Sequence, residues 1–224
     1  MSFKFFKTDF HGDRNIGLYG FATDKYCLLG FQPEQKVLKK MADALSVPIH
    51  HAFLAGTQFL GIFAAGNSHG IVTTKLIEKH ELARLNELGV KVLVIETKET
   101  AIGNLVLCND KGCLISKKLE KFKKEISETL NVDVEVANLA GLEVIGSAGL
   151  ATNRGCLCNP NSFEDELEKV ERVLKVPVDV TTVSAGTPFP KAGLLSNSHG
   201  AVISDMSTGP ELGRISEILA EEGF

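Results

Sequence analysis

The sequence has no tryptophan and few cysteines, and its N-terminus lacks an export signal. The opening stretch MSFKFFKTDF has no apolar core of the length that a signal peptide needs. An odd number of cysteines in apolar runs also argues against a disulfide framework. These cysteines are Cys27, Cys108, Cys113, Cys156 and Cys158. We therefore expect a reduced, cytoplasmic protein.

A surplus of basic residues is missing as well. The 24 Lys and Arg against 28 Asp and Glu give a formal net charge of −4, so no global positive field attracts nucleic acid or an anionic membrane. Any RNA contact must be local, and we expect no DNA or membrane partner. Residues 52–74 contain no Asp, Glu, Lys or Arg, but the turn residues GTQ and GNSHG interrupt this run, which favours two strands over a membrane span.

Signatures of common cofactor enzymes and hydrolases are absent: the sequence contains no GxGxxG, Walker loop, HExxH or GxSxG. His50 and His51 are neighbours in a predicted strand, so they point to opposite faces and cannot share a metal ion. Cys156 and Cys158 would share one face, but no second ligand pair follows at zinc spacing, which favours core thiols. We predict no catalytic residue, cofactor or metal site.

A short polar turn between apolar runs recurs along the chain, at intervals of 42 to 45 residues. The copies read ATDKYCLL, GNSHGIVT, CNDKGCLI, ATNRGCLC and SNSHGAVI. Each turn has four residues, and its fourth residue, which we call the fourth turn position, is Tyr26, Gly70, Gly112, Gly155 and Gly200 in the five copies. Such regular spacing predicts one structural unit written five times.

Each unit combines strands with a helix. In the third unit the strand NLVLC (residues 104–108), the turn and the strand CLIS (residues 113–116) form a predicted hairpin. Leu119, Phe122, Ile126 and Leu130 then recur at helical spacing. A β-branched run, VDVEVAN, closes the unit as a half-exposed strand. A helix in every unit and the absence of tryptophan argue against a WD40 propeller.

The units are expected to close into a ring. The fifth unit stops after its helix, whereas residues 2–8 precede the first unit with nothing to pair with, so we hypothesise that this segment supplies the fifth unit's missing strand. The fold class is thus α/β, a five-fold pseudosymmetric ring in a single domain, residues 1–224. The approximate repeats are residues 11–56, 57–100, 101–141, 142–186 and 187–224.

Glycine fills one position in four of the five units, nine residues before the fourth turn position. The five residues are Gly17, Gly61, Gly103, Gly146 and Lys191. Glycine permits close backbone approach, and equivalent strands crowd together around a ring axis. Packing alone accounts for these glycines.

The next position departs from the symmetry; it holds Leu18, Ile62, Asn104, Ser147 and Ala192. Units three to five thus place Asn104, Ser147 and the pair Lys191 and Ala192 at one end of the ring, where we predict a contiguous polar patch. Lys191 is its best candidate for an electrostatic contact. Alternatively, Asn104 only completes a Gly-Asn turn.

Each hairpin turn also carries a basic residue just before its last position. These residues are Lys25, His69, Lys111, Arg154 and His199. We interpret them as exposed turn positions that accept any polar side chain.

Four motifs, ETAIGNLVLCNDKG, GIFAAGNSHGIV, VIGSAGLATNRGCL and STGPELGRISEIL, resemble the translation initiation factor 6 family of archaeal and eukaryotic ribosome anti-association factors. The resemblance covers essentially the whole chain. It implies the pentein fold, in agreement with the repeat. It also implies binding to the large ribosomal subunit on the face that meets the small subunit, through a ribosomal protein beside the sarcin/ricin loop of the rRNA.

The resemblance implies a steric mechanism without chemistry, and it assigns Gly103 and Asn104 to the ribosome contact. We extend this binding set to Gly61, Ser147, Lys191 and Ala192 because they share the same end of the ring. We expect a monomer with a local rRNA contact. The sequence ends at Phe224 without the long tail of eukaryotic members, which indicates an archaeal type.

Two other functions stay open at this point. Pentein relatives include guanidine-modifying enzymes such as deiminases and amidinotransferases, which use a Cys, a His and acidic residues at the ring centre. Those enzymes take their nucleophile from a late cysteine, and no cysteine follows Cys158 here. A passive scaffold for other proteins would bind no ribosome.

Overall fold

The computed structural model describes residues 3–220 and contains five three-stranded sheets arranged around one axis. This is the closed ring that the repeat predicts and the pentein fold that the family resemblance implies. Residue 2 of the predicted N-terminal segment and residues 221–224 of the fifth unit lie outside the described residues. The exact limits of the units stay a proposal.

All five sheets have the same order. An inner strand pairs antiparallel with a middle strand, and the middle strand pairs in parallel with an outer strand. The inner strands are Gly20–Ala22, Ala64–Gly66, Val106–Cys108, Gly149–Ala151 and Leu194–Ser196; the middle strands are Cys27–Leu29, Gly70–Thr74, Cys113–Ile115, Cys156–Cys158 and Gly200–Ser204; the outer strands are Ile49–His51, Lys91–Ile95, Val134–Val136, Val178–Val180 and Lys4–Thr8.

The fifth sheet joins the two ends of the described chain. Its outer strand is Lys4–Thr8, which pairs with Gly200–Ser204 in parallel, with Lys4 opposite Gly200 and Thr8 opposite Ser204. The side chain of Phe6 packs into the core of the first unit. One strand therefore links the first and fifth units of the ring.

A helix from each unit covers the sheets on the outside. The helices are Gln35–Leu45, Lys79–Asn86, Lys123–Leu130, Glu164–Leu174 and Gly209–Leu219. A 3-10 helix, Lys117–Phe122, leads into the third of them. Ile126 and Leu130 are fully buried there, and they share a core with Ile115 of their own sheet and Val72 of the preceding sheet. Each such helix thus seals the junction between two units. Within residues 3–220 no helix is long and apolar enough to cross a membrane.

Five short helical segments, which we call the axial turns, precede the inner strands. They are Ile16–Tyr19, Leu60–Phe63, Ile102–Asn104, Ile145–Ala148 and Pro190–Gly193. The predicted strand 104–108 is therefore too long, because the strand begins at Val106. Asn104 N–H donates to Ala101 O at 3.0 Å and Leu105 N–H to Ile102 O at 2.9 Å, and these i→i+3 bonds hold the Gly-Asn pair in a 3-10 turn.

The glycines of the axial turns allow successive turns to touch through their backbones. A Cβ atom on Gly61 would lie 2.3 Å from Gly17 O, and one on Gly103 would lie 2.2 Å from Gly61 O. Both distances are far inside van der Waals contact, so a side chain at either position would force the turns apart. The packing explanation of these glycines is confirmed.

The opposite end of the ring is closed by the hairpin turns, at residues 23–26, 67–70, 109–112, 152–155 and 197–200. In three of them a buried asparagine amide bridges to the next unit. Asn109 Nδ2 donates to Thr152 O at 3.0 Å, in the next hairpin turn, and to Leu174 O at 2.9 Å, at the end of the next helix. Asn67 and Asn197 make the equivalent pairs of bonds. These amides join units through buried backbone carbonyls.

Thr23 and Thr152 occupy the same position in the other two units and have no amide, so different residues make the connection. Tyr26 Oη donates to Asn67 O at 2.9 Å, and Arg154 Nη2 donates to Ala220 O at 2.9 Å. The expectation that any polar side chain suits the Arg154 position is wrong, because its guanidinium replaces a missing interunit bond.

Candidate protein-docking surface

The axial turns present five side chains around the ring axis at one end of the molecule. We call this surface the axial face; it consists of Leu18, Ile62, Asn104, Ser147 and Ala192. All five residues are half-buried. Gly61 and Gly103, by contrast, are buried and contribute only backbone. The structure thus brings the predicted third-, fourth- and fifth-unit residues together on one surface.

The axial face is uncharged and chemically divided. Leu18, Ile62 and Ala192 form an apolar part, while Asn104 and Ser147 come from adjacent turns and form a polar part. In the described part of the chain neither polar side chain takes part in a hydrogen bond, so an amide and a hydroxyl are available to a partner. An apolar surface with a few free hydrogen-bonding groups is typical of the centre of a protein interface.

Lys191 is oriented differently from the prediction. Its Nζ atom donates to Gly103 O at 2.5 Å, on the third axial turn. Although part of the residue is exposed, its ammonium group is enclosed by protein. This burial lowers the pKa of Lys191 to about 8, and the nearby Cys108 acts in the opposite direction. The charge is thus directed into the ring, contrary to the electrostatic contact expected from the sequence.

A shallow groove rich in lysine lies beside the third axial turn. Lys75, Lys98, Lys118 and Lys121 line it together with Glu96 and Glu99. Residues 97–101 connect this groove directly to the axial turn Ile102–Asn104. Lys118 Nζ lies 3.8 Å from Glu99 Oε2 and 3.4 Å from Glu143 Oε2. The positive charges of the groove that are freer to bind a partner are therefore those of the other three lysines. The groove is a local basic region on an acidic protein.

The centre of the ring holds a small cavity of about 60 Å³ between the inner strands. Cys108 and Lys191 are the titratable side chains among its described lining residues. The guanidine-modifying alternative requires a histidine and carboxylates next to a cysteine at this place, and the lining contains neither. Cys108 Sγ instead donates to Gly66 O at 3.3 Å.

The remaining cysteines are packed in the core. The Cys156 and Cys158 sulfurs lie 3.8 Å apart and are fully buried, and the neighbouring thiol together with burial raises the pKa of Cys156. Burial also raises the pKa of Cys27 to about 12. A thiol with a raised pKa is a poor nucleophile near neutral pH. The prediction of core thiols is confirmed for these residues.

Comparison with known proteins identifies relatives along the whole ring. The model of the eIF-6 family matches residues 5–218. "Translation initiation factor 6" of Methanococcus vannielii is 37% identical over 220 residues, which cover 95% of this chain and 97% of the relative. The proteins of the same name from Pyrococcus abyssi and Thermococcus onnurineus are 36% and 37% identical over 220 residues, covering 95% of this chain and 97% and 96% of their own. All three organisms are archaea.

Proposed function

The chain belongs to the eIF-6 family, and from that membership we propose that it acts in translation initiation by binding the large ribosomal subunit and preventing its premature association with the small subunit. The likeness to proteins named translation initiation factor 6 over nearly the full length of both chains supports this proposal. We also propose that it works as a cytoplasmic monomer.

The axial face is the proposed contact with a ribosomal protein beside the sarcin/ricin loop. The observation that carries this assignment is the pair Asn104 and Ser147, whose polar groups are free on an otherwise apolar, uncharged surface. Ala192 completes the contact on the fifth turn. The proposed site also includes Gly61, Gly103 and Lys191. Their backbone atoms form the close contacts between axial turns that hold these side chains in place.

The proposed mechanism is steric. The five sheets form a closed ring. Helices join neighbouring units, as do buried asparagine amides at three junctions and the side chains of Tyr26 and Arg154 at the other two. A ring joined in this way is too rigid to deform when the small subunit approaches. It therefore occupies the joining surface for as long as it is bound. The mechanism needs no catalytic residue, cofactor or metal.

We assign a local rRNA contact to the lysine groove. Its lysines adjoin the axial turn that carries Asn104, so a partner on the axial face would bring phosphates within their reach. Phosphate contacts by Lys are independent of base sequence and release counterions, which makes binding dependent on salt.

The double variant Lys98→Glu/Lys121→Glu should bind large subunits more weakly and with less salt dependence. Each lost phosphate contact lowers the slope of log K against log salt by roughly one, so the slope should fall by about two. The control is Lys36→Glu/Lys39→Glu, which reverses two exposed charges on the first helix. An unchanged slope in the groove variant would remove the rRNA contact from this groove.

Gradient sedimentation tests the function itself. The protein should comigrate with isolated large subunits, and it should reduce the yield of joined ribosomes when small subunits are added. A lack of binding to purified large subunits at micromolar concentration would refute the proposal. Binding without any effect on subunit joining would refute the proposed anti-association role.

A further inference from the structure

Lys191 is the exception among the residues nearest the ring axis. The other four units have glycine at this position, where a side chain would collide with the preceding turn. Lys191 O itself lies against the first axial turn, because a Cβ on Gly17 would be only 1.7 Å from it. The fifth turn therefore keeps close backbone contact with the first turn and also carries a long side chain at the axis.

That side chain crosses the ring to the third unit. Lys191 Nζ donates to Gly103 O, and Gly103 directly precedes Asn104. The same carbonyl oxygen also lies against the backbone of the fourth axial turn, since a Cβ on Gly146 would lie 2.5 Å from Gly103 O. One ammonium group thus binds the oxygen atom at which the third and fourth turns meet.

We propose that Lys191 is a positioning residue, which ties the fifth axial turn to the third across the axis and so holds Asn104, Ser147 and Ala192 in the arrangement that a partner recognises. This inference rests on the proposed function, because the arrangement matters only if the axial face docks. It differs from that function in assigning Lys191 no contact of its own with the ribosome.

The enclosed position of the ammonium supports a positioning role over a purely stabilising one. A buried charge with one carbonyl partner loses its hydration, and this loss disfavours the charged form in the folded protein. Methionine at this position would avoid that cost and fill similar space. A residue that lowers stability while it fixes the geometry of a surface is typical of functional sites.

Lys191→Met is the principal test, made in the full-length protein. We expect it to fold with a melting temperature no lower than that of the wild type. Its affinity for purified large subunits should fall about tenfold, with an unchanged salt slope. In 15N spectra of the free protein, the side-chain amide signals of Asn104 should shift. Lys191→Gly, which restores the residue of the other units, should lose affinity in the same way.

Lys25→Met is the matched control, since Lys25 is exposed on a hairpin turn at the other end of the ring. It should change neither affinity nor the Asn104 signals. Unchanged affinity of both Lys191 variants would overturn the proposal. A salt slope reduced by about one with unshifted Asn104 signals would also overturn it, because Lys191 would then contact phosphate directly.

The spectra separate this proposal from the proposed function. If the wild-type protein bound no large subunit, the docking function would fail. A shift of the Asn104 signals in Lys191→Met would still establish the link across the ring axis. Conversely, normal wild-type binding with unshifted signals would leave the docking function intact and refute the positioning role.

Discussion

Asn104→Arg is expected to weaken large-subunit binding by about 4 kcal/mol, or ~1,000-fold, while the ring stays folded. Asn104 is half-buried on the axial face, and its turn is closed by backbone bonds that do not involve its side chain. Arginine can therefore replace it without loss of the turn. In the complex, however, the longer side chain would hold a charge within an uncharged contact, where neither shape nor polarity matches.

Cosedimentation over a concentration series, with a melting curve for each protein, measures this effect. Asn86→Arg is the matched control, because Asn86 is exposed at the end of the second-unit helix. The outer strand that follows this helix begins at Lys91, opposite Gly70 of the hairpin turn. The control should bind like the wild type. Wild-type affinity in folded Asn104→Arg would place the ribosome contact elsewhere on the ring.

Asn109→Ala is expected to lower the free energy of unfolding by about 3 kcal/mol. The change deletes two bonds from Nδ2 to buried carbonyls of the fourth unit, and two bonds in which Oδ1 accepts from Lys111 N–H and Gly112 N–H. Alanine replaces none of them, and water cannot easily reach the carbonyls that remain at the junction.

Denaturant titration at neutral pH measures the change, and the melting temperature should fall by roughly 10 °C for a chain of this length. Asn86→Ala is the control for the loss of an exposed asparagine amide, and it should change stability by less than about 0.5 kcal/mol. If Asn109→Ala also changed stability by less than about 0.5 kcal/mol, the amide bridges would contribute little to holding neighbouring units together.

The sequence predicts the repeat and most of its elements because both follow from local pattern. Turn residues between apolar runs identify the hairpins, and the spacing of Leu119, Ile126 and Leu130 identifies a buried helix face. The glycines that four of the five units share predict close backbone approach at the axis, since glycine has no side chain to keep two backbones apart.

The candidate site is less predictable because side-chain direction depends on contacts between units. Alignment of the five units with one another places Lys191 beside Ala192 at one end of the ring. It cannot show that the ammonium group turns inward to Gly103 O. Likewise, Tyr26 and Arg154 look like ordinary turn residues. Their role appears only when Thr23 and Thr152 are seen to lack the amide that the other three units provide.

The pairing of Lys4–Thr8 with Gly200–Ser204 also determines when the protein can finish folding. During synthesis the N-terminal strand emerges first, and at ~5–20 residues per second it waits roughly 10–40 s for its partner. Throughout that interval it is an unpaired edge that invites aggregation, against which its charged Lys4 and Lys7 offer protection. The earlier units can assemble progressively, but the fifth sheet must form by contact between distant parts of the chain, which makes its closure a slow late step.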